Sequence, residues 1–444
     1  MHSITTHNFA FAETFLGMIT MRKVSHGLLV YYKIVICFVL CFYNMPNYAS
    51  NPKTKLFPTI IISGNKFDPN NPEIPIPLIA ISHDGGQSWQ SQNVSASAGF
   101  YYDKRSTCLN DGSTCVLTAE SNTILVSNDK GINWELKTIP GTSDLRFSFP
   151  SCTETNEGTI CVVTGFDMNP YLGVSFNAGR TWKLRNFPEL FRSFLSGISC
   201  SGKNEMPVCV VVGMQSDRYE GLLLVTKDGG DTWQRKKDVP NSWLRGVSCS
   251  GEGDDVICIG VGTRYDKHPN PPFVMVSIDG GVTWGSRDII GLDKKEGMLH
   301  AISCTNDAKV CVAAGHITDP SYSPVVVVST DRGSTWRVQP IANALTDGEF
   351  THVNCSESNE FGVVCAAGGD TMVAVGHYPG GKWKKIENAP QKDVLDLKCM
   401  NDTCIAAFAS SEIFASFDGG ETWEIKKTDI PFVSFSTVAM FKNE

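Results

Sequence analysis

The scarcities in this chain narrow it before its motifs do. Charged residues make up 19% of the 444 and their formal balance is −8. No basic stripe is available to neutralise phosphates, so nucleic acid is not an expected partner. No apolar stripe of period 3.6 runs through the chain. Its apolar runs are short and β-branched, which sets helical repeats aside. No linker-like or low-complexity segment follows residue 56. Residues 51–444 are therefore expected to form a single domain. The histidines show no metal-binding spacing. Neither a metal nor a cofactor is expected.

Residues 1–50 differ from the rest. Arg22 and Lys23 precede an apolar region, and Lys33 directly precedes the ten apolar residues 34–43. That is the length of a signal-peptide core and short for a membrane span. Asn47, Tyr48 and Ala49 form an imperfect cleavage site. Residues 1–50 are thus expected to be a signal peptide or an uncleaved N-terminal anchor. Residues 1–20 would be an over-extended start if Met21 is the true initiator. Membrane contact is expected only through that segment, if it stays uncleaved.

What the chain does have is glycine, cysteine and a recurring turn. It holds 40 glycines and 16 cysteines. The stretch Ser277-Ile278-Asp279-Gly280-Gly281-Val282-Thr283-Trp284 recurs at 82–89, 127–134, 175–182, 226–233, 329–336 and 416–423. A degraded copy at 376–383 carries Tyr378 where the acid should be. The Asp is expected to accept hydrogen bonds from N–H groups two residues on. The Gly after it takes φ > 0 freely, and the Trp opens the next strand with a large apolar surface. Successive copies lie 40 to 52 residues apart, measured from Trp to Trp. That period matches one four-stranded propeller blade.

Fourteen cysteines form seven close pairs. They are Cys108 with Cys115, Cys152 with Cys161, Cys200 with Cys209, Cys249 with Cys258, Cys304 with Cys311, Cys355 with Cys365, and Cys399 with Cys404. One pair falls between each two successive turns. Partners sit 5 to 10 residues apart in strand-like sequence, across hairpins whose facing Cα atoms a disulfide can span. Zinc would need two pairs converging on one point, and a ring of blades keeps them apart. Disulfides are preferred, and with them an oxidising compartment.

Within the fifth unit, strands are expected at 244–250, 256–261, 273–277 and 283–287. The first unit lacks its leading strand, while residues 432–440 are a strand without a blade. Pairing that orphan with 59–63 closes a ring, which removes an open sheet edge. The count gives an all-β, eight-bladed propeller of four-stranded antiparallel blades, with seven blades as the alternative.

In such a ring the disulfide hairpins and the Asp turns share one face. The other loops surround the opposite mouth of the channel. Asp84, Asp129, Asp228, Asp279, Asp331 and Asp418 are then turn residues rather than a calcium array, since each turn offers one acid. The position four before the first cysteine gives Lys104, Ser148, Ser196, Arg245, His300, Thr351 and Leu395 at one level of the channel. Tyr101, Tyr102 and Trp243 lie near that level. The loops add Asp217, Arg218, Tyr219, Arg264, Asp266, His268, His316 and Asp319. Arg245, Arg264 and His300 with those aromatics form a candidate cationic pocket for a carboxylate, phosphate or sugar acid. The plainer reading is a set of solvated loop residues with ordinary salt bridges.

The repeat S/T-x-D-x-G-x-T/S-W resembles the Asp-box (BNR) repeat over residues 57–440. Propellers carrying it include sialidases, xyloglucan-type glycoside hydrolases, sortilin-type receptor ectodomains and the photosystem II stability and assembly factor family. The resemblance implies the fold; function sits in the loops. A sialidase needs an Arg-Ile-Pro element before its first Asp box and three arginines around the substrate. This chain has Leu56-Phe57-Pro58 there and no arginine between Arg22 and Arg105. Another glycosidase would need two facing carboxyls; Asp103, Asp217, Glu220, Asp266 and Asp396 are on the right side, and nothing singles out two. The expectation is a secreted or periplasmic monomeric scaffold that binds a glycan or protein partner. The alternatives are a glycoside hydrolase and an assembly factor for a membrane complex.

Overall fold

A strand ending in Ser-x-Asp-x-Gly must reverse, because its polar side chains capture the backbone N–H groups that a longer strand would offer to a neighbour. The computed structural model describes residues 57–443, apart from 69, 95–104, 120–121, 143–144, 167–168, 203–206, 293, 319–320, 344–346 and 431–432. The expectations for residues 1–50 lie outside the described residues.

The fifth copy shows how the turn works. Ser277 Oγ donates to Asp279 Oδ1 at 2.7 Å and accepts from the Gly281 N–H at 2.8 Å. Asp279 accepts from the N–H and the hydroxyl of Thr283 at 2.9 and 2.5 Å. The Trp284 indole donates to the Gly281 carbonyl at 3.1 Å. The sequence expectation is corrected in one respect. The N–H two residues after Asp goes to the serine, and the carboxylate reaches four residues on. Gly281 sits at φ 82°, where a side chain would be strained. The third copy has Asn177, whose Oδ1 takes the Thr181 N–H at 2.9 Å and whose amide donates to the Thr181 hydroxyl at 2.9 Å. The turn therefore needs the acceptor geometry, not the charge. In the degraded copy the buried Tyr378 hydroxyl accepts the Trp383 indole N–H at 2.8 Å.

The strands form eight antiparallel four-stranded blades. Two blades add a short parallel strand, Ile289–Ile290 beside Trp336–Gln339 and Ile341–Ala342 beside Lys382–Lys385. Blade 1 is closed by both ends of the described chain. Val433–Phe441 pairs with Thr59–Asp68, with Ile61 opposite Ala439 and Ile62 opposite Val438. Eight blades are present, and the seven-bladed alternative falls. The core lies between blades. Val261 and Val274 of blade 5 pack with Leu299, Ala313, Val327 and Trp336 of blade 6. Removal of a large side chain such as Trp336 from water contributes about 2–3 kcal/mol.

Three devices organise the channel side of the blades. The first is the disulfide, and every expected pair is joined. Cys108 bonds to Cys115, Cys152 to Cys161, Cys200 to Cys209 and Cys249 to Cys258. Cys304 bonds to Cys311, Cys355 to Cys365 and Cys399 to Cys404. The two cysteines of each pair face each other in register across the first two strands of a blade. Their Cα separations are 4.0 or 4.1 Å. The second cysteines Cys115, Cys161, Cys209, Cys258, Cys311, Cys365 and Cys404 are fully buried, so each bridge is a core element and the zinc alternative falls.

The second device is a polar step between blades. The residue before the first cysteine reaches to the next blade. Ser151, Ser199, Ser248 and Ser303 hydroxyls accept the N–H of Cys200, Cys249, Cys304 and Cys355 at 2.9–3.3 Å. Asn354 does the same for Cys399 at 2.8 Å. The third device is a bulge in the first strand, which leaves Ser196, Arg245, His300, Thr351 and Leu395 unpaired between their neighbours. In blade 1, Ser436 takes this place. Opposite the bulge stands a glycine. A Cβ on Gly213, Gly262, Gly315 or Gly369 would come within 1.9 Å of the carbonyl oxygen of Phe194, Trp243, Met298 or Glu349.

Two outcomes are expected. Gly262→Ala should lose about 2–3 kcal/mol in denaturant unfolding, because the added Cβ drives the Trp243 carbonyl out of register. The second concerns acid. Burial pulls the Asp279 carboxyl upward, but the bonds from Thr283 and Ser277 outweigh it and hold it at about 2. The other acidic turns shift the same way. A depressed carboxyl stabilises the fold above its unfolded value of about 4 and loses that contribution as pH falls towards 2. The melting temperature should drop across that window. Asp279→Asn should shrink the drop while changing stability little at pH 7.

Candidate functional site

A bulge re-aims one side chain away from its strand partner. Here it points five first-strand side chains at the channel. Ser196, Arg245, His300, Thr351 and Leu395 line one cavity of about 510 Å³ with Arg105 and Asp396. Five residues of the four-before-cysteine series, from successive blades, thus line one cavity; Ser148 of the same series does not, and Phe149 lines it instead. Lys104 belongs to that series but lies outside the described residues, as do Tyr101, Tyr102 and Asp319.

Arg245 is a partly buried cation on this wall. Its guanidinium carbon sits 4.6 Å from the Trp243 ring centre, a cation–π contact. The Trp243 indole donates to Ser196 Oγ of the preceding blade at 3.0 Å. Arg245 Nε is buried with no hydrogen-bond partner. Burial pulls the Arg245 pKa down, and the Glu349 charge opposes that shift. Beside it a second cavity, of about 300 Å³, is walled by Phe149, Phe194, Met214, Trp243 and Arg245. Arg264 does not join them. It forks onto Asp266 at 2.8 and 2.5 Å and lines neither cavity. Of the sequence-selected residues, Trp243 and Arg245 meet directly, and His300 shares the larger cavity with Arg245.

His300 has company that its sequence spacing gave no hint of. Its Nε2 lies 2.8 Å from Glu349 Oε2 and 3.0 Å from His316 Nδ1. His316 Nδ1 lies 2.9 Å from the same Glu349 oxygen. Tyr322 donates its hydroxyl to that oxygen at 2.6 Å, and its ring lies tilted against His316 at 4.5 Å. The two imidazoles hold the Glu349 carboxyl far below the ordinary range. Burial and the bond to Glu349 push the Tyr322 hydroxyl up. His300 Nδ1 is buried without a partner. Among the described residues, this is the one His/Cys/Asp/Glu group whose donor atoms converge as metal ligands would. Glu349 escaped the sequence reading because it belongs to no motif. The cysteine pairs could have found it. It stands six before Cys355, as Phe194 and Trp243 stand six before Cys200 and Cys249, at the rim of the channel.

The candidate carboxyls part company. Glu220 pairs with Arg235 at 2.9 Å and Asp103 lies outside the described residues. Asp396 lines the cavity, but its oxygens are occupied. They accept the Thr437 hydroxyl at 2.8 Å, and the Val438 and Leu397 N–H groups at 2.9 Å. Burial would raise this carboxyl; Lys398, Arg105, His352 and the Val438 amide bring it below the ordinary value instead. Asp396 is thus the clasp on the closing strand. Asp370, also on the wall, is shifted upward by burial and by Glu349.

No family model matches the chain, and no curated protein matches it. Solved structures do. A Dos1 propeller aligns with a TM-score of 0.50 at 11% identity, over 84% of this chain and 90% of its own. YCF48 from Cyanidioschyzon merolae aligns at 0.46 and 15% identity, over 76% and 94%. An ancestral GH74 enzyme aligns at 0.49 and 10% identity, over 84% of this chain and 54% of the enzyme. What is shared is the propeller. At such identities the likeness speaks for the fold alone. The seven disulfides suit an oxidising, extracellular or periplasmic compartment. No helix among the described residues is long and apolar enough to cross a membrane.

Asp396→Ala should open the latch. We expect a loss of about 3 kcal/mol or more, because buried donors lose a charged acceptor, and faster protease cleavage within 433–441, read by mass spectrometry of the fragments.

Proposed function

We propose that the protein is an exported recognition scaffold of the Asp-box kind, whose loop-side mouth binds a segment of a partner protein. Residues 51–444 would be the binding domain and 1–50 its leader or anchor. One observation carries this reading. The exposed large aromatics among the described residues are Phe191, Phe194, Tyr219 and Tyr322, and all four are on the loop side. The exposed large apolar residues in the Asp turns are aliphatic: Ile132, Ile278 and Val282. Aromatics beside a half-desolvated arginine are the composition of interface hot spots. Arg245 supplies a charge for an acidic residue of the partner, and the small cavity beside it accepts an apolar neighbour. A glycan carrying an acid group would use the same arginine.

A second reading, a glycoside hydrolase, draws on Glu349 and Asp370. Asp370 lines the cavity and its N–H donates to the Glu349 carbonyl at 3.1 Å, so the two residues are neighbours near the mouth; a hydrolase would need their carboxyls to face each other across the substrate.

The test is a peptide array and a glycan array probed with the mature protein, alongside Trp243→Ala and Arg245→Met. Peptides with an acidic residue next to an apolar one should be retained, and either substitution should weaken them about 10-fold or more. Retention of glycans alone would replace the protein partner with a saccharide. Turnover of a chromogenic glycoside would favour the hydrolase.

A further inference from the structure

Three polar atoms near the loop-side mouth converge so that each stands within hydrogen-bond distance of the other two. His300 Nε2, His316 Nδ1 and Glu349 Oε2 make a nearly equilateral triangle with sides of 2.8, 2.9 and 3.0 Å. The glutamate oxygen also receives the Tyr322 hydroxyl at 2.6 Å. If both imidazole nitrogens carry protons towards Glu349, one oxygen accepts three donors and two N–H groups confront each other at 3.0 Å. If one nitrogen is bare, its lone pair faces the carboxylate at close range. Neither arrangement satisfies every group, because a carboxylate oxygen offers two lone pairs.

A cation removes the conflict. With bonds of about 2.0–2.1 Å, donors at right angles about a metal stand about 2.9 Å apart, and tetrahedral donors about 3.4 Å. The observed sides fit the right-angled set. An ion about 1.3 Å above the centre of this triangle reaches all three atoms at about 2.1 Å. Two imidazoles and one carboxylate on one face of an octahedron are a donor set for divalent first-row metals, and they leave three positions open.

We propose that His300, His316 and Glu349 bind one divalent transition-metal ion as a facial triad. The triad is prebuilt. Side-chain exposures of 10%, 13% and 21% hold all three donors in a largely enclosed setting. The bulge fixes His300 and the end of Cys311–Ile317 carries His316. Glu349 arrives from the next blade, just before Phe350–Ser358. Its own carbonyl is pinned against Gly369, where a Cβ would stand 1.9 Å away. Tyr322 buttresses the arrangement through the shared oxygen and the His316 ring. The site therefore bridges blades 6 and 7, and an ion there ties them together.

The experiment uses untagged mature protein stripped with a chelator and titrated with Zn²⁺. Calorimetry should give one equivalent per chain. Zinc-edge anomalous scattering from a soaked crystal should place the ion within bonding distance of the three named atoms. His316→Ala and Glu349→Gln should each weaken binding about 100-fold or more. Absence of stoichiometric binding, an anomalous peak elsewhere, or variants that titrate like the wild type would overturn the site and leave a hydrogen-bonded cluster only. The wild-type crystal decides the matter even if a variant fails to fold.

Discussion

In four blades the hydroxyl of the serine before the first cysteine accepts a hydrogen bond from the next blade, in a fifth Asn354 does so, and the ring depends on that step. A propeller has no sheet running around its circumference, so adjacent blades meet mainly through side chains, with isolated backbone bonds such as Gly297 N–H to the Asn270 carbonyl at 3.0 Å. Apolar packing between them is strong but non-directional. The bonds from Ser151 to Cys200, Ser199 to Cys249, Ser248 to Cys304 and Ser303 to Cys355 supply the missing direction. They fix the level of each first strand against the last. Because the acceptor's neighbour is itself disulfide-bonded, that level passes to the second strand and through the blade. The bulged residues four positions before each cysteine consequently arrive at a common depth, and a wall made by separate blades behaves as one surface.

That constraint explains where chemistry gathers. The disulfide end of each first strand is repetitive in sequence, with Ser-Cys or Asn-Cys at most steps. The other end varies freely: serine, arginine, histidine, threonine and leucine occupy the same bulge in successive blades. A partly buried cation at Arg245, a clasp at Asp396 and a histidine–glutamate triad can coexist within one mouth because they are rooted in different blades. His352 shows the same freedom. Burial drives its pKa to about 3, so it serves as a neutral wall residue while its neighbour Thr351 lines the cavity.

The repeat made the fold legible. Trp-ended turns, cysteine couples and an orphan terminal strand sufficed for blade number, strand order and latch, since each depends on local chemistry repeated many times. The pairing of Cys108 with Cys115 or of Cys399 with Cys404 could be read from spacing alone, because a hairpin so short leaves its two cysteines no other partner. The bulges and their facing glycines were equally present in the sequence, the glycines four residues after the second cysteine in most blades. They went unread because glycine in a strand has many causes. The site was legible only in part. Arg245 and His300 were found through the register; Glu349 holds a register position of its own, six before Cys355, but its meeting with His300 and His316 of another blade is encoded by no local spacing. Arg264 had the right position in sequence and the wrong neighbour: Asp266, two residues away, claims it before the channel does.

The closing strand also sets an order of events. Thr59 and Phe441 stand opposite each other in one blade, so the two ends of the described chain are neighbours in a single sheet. A polypeptide that emerges from its N-terminus holds Thr59–Asp68 without an inner neighbour until Val433–Phe441 appears. Seven blades can staple themselves one by one as they emerge, each within its own short hairpin. The first blade alone waits, edge open, for Val433–Phe441 to be made. The ring is therefore assembled progressively and sealed in a single late step, and a chain cut short before Val433 would keep an exposed strand edge for as long as it survives.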